Sequence, residues 1–567
     1  ISIVLFVLLT ARGIGMLGVF YEEVVSFTDV PQEIVSRVAH EGGLMRVEYA
    51  DGRERDPSVV APATPLLVPA SMLPHLSVRY RGHQYPLLDQ IYMTNHVAYL
   101  SWCARWISPV WGVRTVHALF GVIGLVLLFV LGRSLFDSET ARTAVVLAPL
   151  GLNYTFMFTW ARYDESIASV GTLAVLVAVD RYRREGKERF LAVALFLAAL
   201  TVSGKITALW TLGAAGLAAI VAGKLPRPKL RGSAVGLLTG AVCFLPLILD
   251  ETRMPGGTNR ESARRLAMLH DVFTTDVLWQ TALNMAQYLG DWGTILARVL
   301  RGPEGGGRVP FRGFIVAACY LHLAWCALAP GESRRRARSE TALLIASAVV
   351  FVLVGMFYRE HRDYQFVLLV PFASLVVARS LVALAARFGV SSPRVRCAAQ
   401  AAMVVAWAAL GIREHMLFWN DLANGQNAML SLAAQRRSAE FLQRRGIVRP
   451  VTVTFYAVGQ YEFLTDGAVR PLHAFNLFRD PRMDDAHLAS GWRDALAIDG
   501  GETHHVLLPL GRNVVEERHF SEGSMRRVLL EQVAPSLGGS TLVATFANER
   551  GAPVLALYRV GPERPGR

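Results

Sequence analysis

Stretches of apolar residues long enough to cross a bilayer recur along most of this chain, and they constrain its fold more than any motif does. A bilayer core of about 30 Å needs about 20 mostly apolar residues per helix. Candidate spans lie near 1–20, 113–132, 143–160, 166–180, 190–203, 206–222, 233–250, 311–330, 340–357, 364–386 and 397–418. Arg12 interrupts the first of them. A cleaved leader is the other reading of 1–20, disfavoured because no small-residue cleavage site precedes Tyr21. The composition agrees: 53% of the 567 residues are hydrophobic and 18% charged, where soluble domains carry about 25% charge.

The formal net charge of +13 raises the question of a nucleic-acid partner. Its distribution answers it. With 21–112 placed outside, the loops alternate. The inside loops then hold Arg133, Arg142, Arg181, Arg183, Arg184, Lys187, Arg189, Lys224, Arg227, Lys229, Arg231, Arg334, Arg335, Arg336, Arg338, Arg387, Arg394 and Arg396. The short outside loops hold Arg162, Lys205, Arg359 and Arg362. Eighteen cations against four select one orientation by the positive-inside rule, so the charge needs no nucleic acid to explain it. The five cysteines sit in or beside apolar runs with no CxxC, and read as buried thiols.

Two long segments, 21–112 and 251–310, join spans on the outside; the middle of the second, 260–299, has the spacing of an amphipathic surface helix. Beyond 420 the composition changes. Short β-like runs at 451–456, 503–510, 541–546 and 553–560 lie between Gly, Asp and Pro turns. The expected architecture is an all-α polytopic membrane region of about 11 transmembrane helices over 1–420, followed by an extracytoplasmic α/β domain over 421–567.

Ionisable groups beside spans are costly and mark function, and here they collect on the outer face. Glu22, Glu23 and Asp29 follow the first span. Arg162 and Asp164 join spans three and four, Lys205 joins five and six, and Arg359, His361 and Arg362 join nine and ten. Carboxylates beside cations suit transfer of a sugar from a lipid phosphate to a hydroxyl. One group takes the acceptor proton, and cations hold the departing phosphate. Clustered carboxylates also suit Mg²⁺, so the residues alone do not decide between metal-free and metal-assisted transfer; no ligand set for a divalent metal and no cofactor stands out.

An acidic pair after the first span, a long outer loop, Arg-x-Asp between later spans, and His361-Arg362-Asp363-Tyr364 running to Leu368-Leu369-Val370-Pro371 together resemble the GT-C glycosyltransferases. The similar groups are bacterial relatives of the protein O-mannosyltransferases and the lipid A aminoarabinose transferases. The resemblance covers about 1–420. It implies a multi-pass enzyme of the bacterial inner membrane, its site facing out of the cytoplasm, with a polyprenyl-phosphate-linked sugar donor and a hydroxyl acceptor on protein, lipid or glycan. It casts Glu22 or Glu23 as catalytic base, Asp164 as an active-site carboxylate with Arg162 nearby, and Lys205 as a phosphate contact. Those relatives carry Asp in the first pair and Lys-Pro-Pro-Leu late in the first loop. This chain has Glu22-Glu23, and His83-Gln84-Tyr85-Pro86-Leu87-Leu88, so Arg79, Arg81 or His83, around Tyr85, stands where the lysine is missing.

A transporter or flippase would carry its charges near the bilayer midplane in paired halves, and no half-repeat is visible here. A non-catalytic scaffold would bring the acidic and basic loops to no common pocket.

Overall fold

Helices account for most of the computed structural model, which describes residues 2–14, 35–41, 44–49, 66–68, 77–80, 83–86, 109–151, 154–155, 158, 163–204, 208, 212–213, 216–217, 230–253, 311–328, 334–356, 369–388, 392–423, 431–452, 460–461, 464–465, 468–469, 471–473, 484–499, 502–510 and 522–562. The bundle comprises α1 (Ser2–Ile14), α2 (Pro109–Leu135), α3 (Ser138–Leu147), α4 (Tyr163–Glu185), α5 (Glu188–Gly204), α6 (Leu230–Arg253), α7 (Phe311–Leu328), α8 (Arg334–Met356), α9 (Val370–Phe388) and α10 (Pro393–Ala423). Each overlaps an expected span, α3 (Ser138–Leu147) only at the start of the one near 143–160. The span at 206–222 and the surface helix at 260–299 lie almost wholly or wholly outside the described residues.

Among the described residues, Arg114–Leu135, Val370–Arg387 and Pro393–Leu417 are long and apolar enough to cross a membrane, with mean hydropathies of 2.4, 1.5 and 1.6. The bundle's outer surface is apolar too. Leu321 is 73% exposed, Leu238 70% and Leu328 84%. Contiguous apolar surface of that kind is a liability in water and the expected exterior in lipid.

Two expectations for the membrane region need correcting. The third span is not one uniform helix: α3 stops at Leu147 and passes into a 3₁₀ turn, Ala148–Leu150, where Pro149 withdraws an amide donor. The first outer segment is not without strands. It holds an antiparallel sheet of β1 (Val35–Glu41), β2 (Leu44–Tyr49) and β3 (Leu66–Val68), and a hairpin of β4 (Ser77–Tyr80) with β5 (His83–Pro86). "All-α" therefore fits the bundle but not its first loop. Of the cysteines, Cys243, Cys319 and Cys326 are buried thiols as expected, whereas Cys397 is exposed on α10.

Side-chain contacts fix the direction of the helices. α2 and α3 are joined by Phe136 and Asp137 alone, and the Asp137 carboxylate caps α3 by accepting from the Thr140 amide at 2.7 Å. α4 and α5 are joined by Gly186 and Lys187. Gly186 takes φ +64°, a left-handed conformation that glycine adopts without strain. The Ser134 hydroxyl near the end of α2 donates to Asp180 near the end of α4, so these helices run parallel. α6 starts where α5 starts, with Gly232 against Glu188 and Gly236 against Ala192, and runs parallel to it. Arg396 bonds Glu139 at 2.8 Å and Gln400 bonds Thr143 at 2.9 Å, aligning α10 with α3. Glycines at these crossings let helix backbones approach closely, the usual basis of helix association in membranes. The result has two chemically different ends. One gathers Arg133, Arg181, Arg183, Arg184, Lys187, Arg231, Arg334, Arg387, Arg394 and Arg396 on its helix ends and short turns. The other receives the start of α4 and the ends of α5, α6 and α10.

One buried ion pair ties α8 to α9: Arg379 Nη2 and Nε each lie 2.8 Å from Glu340 Oε1, with side-chain exposures of 7% and 0%. The Phe136 ring lies 5.8 Å from that guanidinium.

After α10 comes an α/β unit. α11 (Leu432–Arg444), α12 (Asp485–Asp499) and α13 (Glu522–Val528) accompany strands β6 (Val451–Thr452), β7 (Leu472–His473), β8 (His504–Pro509), β9 (Ser540–Ala547) and β10 (Pro553–Val560). The sheet order is β7-β6-β8-β10-β9, with β6 parallel to β7 and β8, and β10 antiparallel to β8 and β9. Alternation along β8 builds three layers. Val506 and Leu508 join the core under α12 and α13, while Leu507 joins the one under α11. The Trp492 indole, fully buried, donates to the Met525 carbonyl at 3.0 Å. Glu549, from the β9–β10 turn, accepts from Ser431 Oγ and the Ala433 amide at the start of α11. Arg550 reaches Asn420 of α10 at 3.0 Å, joining the sheet to the bundle.

Candidate active site

Of the site residues singled out in the sequence, Asp164 and Tyr85 lie within the described residues. Asp164 is the second residue of α4, in its first turn. Lys205 itself lies outside the described residues. In the sequence it follows directly on Gly204, the last residue of α5. The start of α4 and the end of α5 are neighbours: Gly171, two turns into α4, packs on Thr201, one turn from the end of α5. Tyr85 lies in β5, paired with Val78 of β4. Arg359, His361 and Arg362 fall in the segment 357–368, between Met356 of α8 and Leu369 before α9, and lie outside the described residues. So do Glu22, Glu23, Asp29 and Arg162. α9 itself begins inside the bundle. Leu369 and Val370 are fully buried, and the helix start packs near the 3₁₀ turn Ala148–Leu150.

Sequence reasoning passed over two further residues at this end. Arg114 and His117, on the first turns of α2, are both fully buried. Their i, i+3 spacing puts them on one helix face. Both fall inside the span expected near 113–132, and α2, which begins at Pro109, carries them into the protein. A fully buried guanidinium is costly unless paired, and that cost was the available signal. One turn deeper, Phe6 of α1 meets Tyr154 edge-on at 5.6 Å and Phe158 at 6.1 Å, both beside Gly121. The Tyr154 hydroxyl donates to the Gly121 carbonyl at 2.6 Å. This aromatic layer floors the end of the bundle where Arg114 and His117 lie.

Among the described residues no group of three or more His, Cys, Asp or Glu is placed to hold a metal ion. A cavity does form among them, but at the basic end, lined by Leu135, Leu176, Leu343 and Phe372 with Asp180 and Arg183.

No family model matches the chain, and no curated protein matches its sequence. The backbone is similar to solved structures over nearly its whole length. It superposes on ArnT from Cupriavidus metallidurans in the apo state with a TM-score of 0.53 at 12% identity, covering 98% of this chain and 97% of that one. The chain has the GT-C glycosyltransferase fold. ArnT from the same organism bound to undecaprenyl phosphate gives a TM-score of 0.51 at 11% identity with the same coverage. An Archaeoglobus fulgidus oligosaccharyltransferase tethered with an acceptor peptide gives 0.46 at 12% identity, covering 97% of this chain and 73% of that one. With coverage this complete, the α/β unit after α10 falls within the superposed length as well as the helical bundle. GT-C proteins of this kind are polytopic in the membrane, in keeping with the apolar exterior described above.

Proposed function

We propose that this chain is a membrane glycosyltransferase that moves a sugar from a polyprenyl-phosphate donor to a hydroxyl acceptor at the non-cytoplasmic face. The observation that carries the proposal is the match of the whole chain to the ArnT fold, solved both apo and with undecaprenyl phosphate. The helix directions support it, because the start of α4, which bears Asp164, and the end of α5, which Lys205 follows in sequence, share one end of the bundle. The other end carries the arginine-rich turns, and the positive-inside rule puts those in the cytoplasm. The α/β unit, joined to the end of α10, then stands on the outer side with the site, and the bundle spans the inner membrane of a bacterium in about eleven passes.

In this mechanism Glu22 or Glu23 takes the proton of the acceptor hydroxyl. The acceptor oxygen attacks the anomeric carbon from the face opposite the phosphate, the bond from that carbon to the phosphate oxygen breaks, and the configuration inverts. Lys205, Arg359, His361 and Arg362 receive the negative charge that develops on the departing lipid phosphate. Arg162 and Asp164 orient base and acceptor, and Asp29 and the Tyr85 hairpin line the approach of the sugar. Arg114 and His117 add buried positive charge and a hydrogen-bond donor to the same end. The segments 21–112 and 251–310 close over the head group and exclude water.

The test is the purified full-length protein in detergent with a panel of labelled polyprenyl-phosphate sugars, reading released polyprenyl phosphate. One donor should be consumed. Glu22→Gln combined with Glu23→Gln should lower the rate by about 10²–10⁴-fold, the usual contribution of a general base, with expression unchanged. A panel in which no donor turns over argues for a transport or scaffold role. Full activity in the double variant removes the pair from the mechanism.

A further inference from the structure

The cavity at the basic end has no part in this chemistry, and its construction is unusual. It lies between α2, α4, α8 and α9, and its empty space is about 530 Å³ with the open solvent at its mouth included. Leu135, Leu176, Leu343 and Phe372 make its wall, and the charged groups are confined to one side, Asp180 and Arg183. At that side a single carboxylate faces two guanidiniums. Asp180 Oδ1 lies 2.8 Å from Arg183 Nη2, and Oδ2 lies 3.0 Å from Arg184 Nε. Ser134 donates its hydroxyl to the same carboxylate and accepts from Arg184 through its carbonyl. The cluster therefore keeps one net positive charge. The Asp180 carboxylate is held by three partners, Ser134, Arg183 and Arg184, and Arg184 is still 39% exposed.

We propose that this cleft is a binding site for an anionic phospholipid of the surrounding bilayer, one acyl chain lying along the leucine wall and the phosphate at Arg184 and Arg183. Apolar lining excludes water and receives hydrocarbon. Charge complementarity selects the head group: a zwitterionic lipid brings no net charge to offset the extra guanidinium, whereas a phosphatidylglycerol brings one negative charge. Guanidinium groups fixed by a carboxylate lose little further entropy when they meet a phosphate. The cluster's place beside the Gly186 turn sets it at head-group depth, where juxtamembrane arginines meet anionic lipid.

The test uses the full-length protein, delipidated in neutral detergent. Binding is read by native mass spectrometry and by the shift in thermal unfolding, with phosphatidylglycerol, with phosphatidylcholine of the same chains, and with inorganic phosphate alone. Phosphatidylglycerol should give a one-to-one adduct and raise the unfolding temperature, with the other two probes weaker. Arg184→Gln should reduce the preference for phosphatidylglycerol about fivefold, the equivalent of ~1 kcal/mol per cation near anionic lipid. Ala346→Phe, which fills the cleft from α8, should remove the adduct. Equal binding of the two lipids overturns the proposal, as does an equal shift from inorganic phosphate, or an adduct that survives both substitutions. The wild-type lipid comparison stands even where a variant fails to fold.

Discussion

Removing Glu340 should do more damage than removing the whole ion pair. The Glu340 carboxylate is fully buried and Arg379 nearly so, with both contacts at 2.8 Å. No solvent screening discounts the interaction. Truncating one partner of a buried pair costs about 3–5 kcal/mol, because the other charge is left desolvated. With 1.4 kcal/mol per factor of ten, Glu340→Ala should raise the unfolded-to-folded ratio from about a hundredfold to a few thousandfold. Replacing both residues with apolar ones of similar volume, Glu340→Leu with Arg379→Met, should recover most of that loss, since it removes the desolvation penalty together with the attraction. The assay is reversible unfolding in mixed detergent micelles, followed by tryptophan fluorescence, for the wild type, both single variants and the double. Donor turnover is measured in parallel, because α8 and α9 are the two anchors of the segment 357–368. A Glu340→Ala cost no larger than about 0.6 kcal/mol, the average for an interhelical polar contact inside a membrane protein, would refute the reasoning. So would a double variant less stable than either single one.

Asp164→Asn should lower transfer by at least about a hundredfold if that carboxylate takes part in proton transfer or its alignment; a kinetic series in acceptor concentration, with folding checked by gel filtration, measures it. Arg114→Gln should reduce kcat/KM for the lipid donor more than it reduces protein yield, and unchanged kinetics would return the residue to a purely structural role. Gly121→Leu drives a side chain into Phe6 and Phe158, and overpacking of this kind costs about 1–3 kcal/mol, readable as a lowered unfolding midpoint. At the start of α12, the His487 amide and ring, both bonded to the Asp484 carboxylate, hold its pKa below the ordinary value. A depressed carboxylate stabilises the folded form above its unfolded pKa and loses that contribution as pH falls through its folded pKa. Hydrogen exchange at the first turn of α12 should therefore quicken below about pH 4, and Asp484→Ala should abolish that pH dependence.

The helices were legible because a transmembrane run has a length that few other structures need: all the described bundle helices fall on apolar runs, and β8 and β10 lie within a residue or two of the runs at 503–510 and 553–560. What escaped has local causes. β1, with the sequence Val-Ser-Arg-Val-Ala-His-Glu, lacks the strict alternation of a half-buried strand, and β7 is two residues long. Pro149 was visible, but an apolar run hides where a helix tightens to 3₁₀. Arg114 and His117 were missed because polar residues at the start of an apolar run give no sign in the sequence of whether they face the protein interior. The ion pair Glu340–Arg379 joins residues 39 apart in sequence, a separation that no periodicity reports. The candidate cations and carboxylates were found by their place in the loop order together with short motifs such as Arg162-x-Asp164, and most of them lie outside the described residues.

The turns Phe136–Asp137 and Gly186–Lys187 leave the helix pairs α2/α3 and α4/α5 almost no slack where they meet. Each pair resembles a compass with its pivot among the arginines: its legs can part only at the far tips. Any gap that admits a bulky isoprenoid would then widen from the pivot outward, and a short rigid crosslink between the tips should lock the entrance while one near the pivot leaves it free.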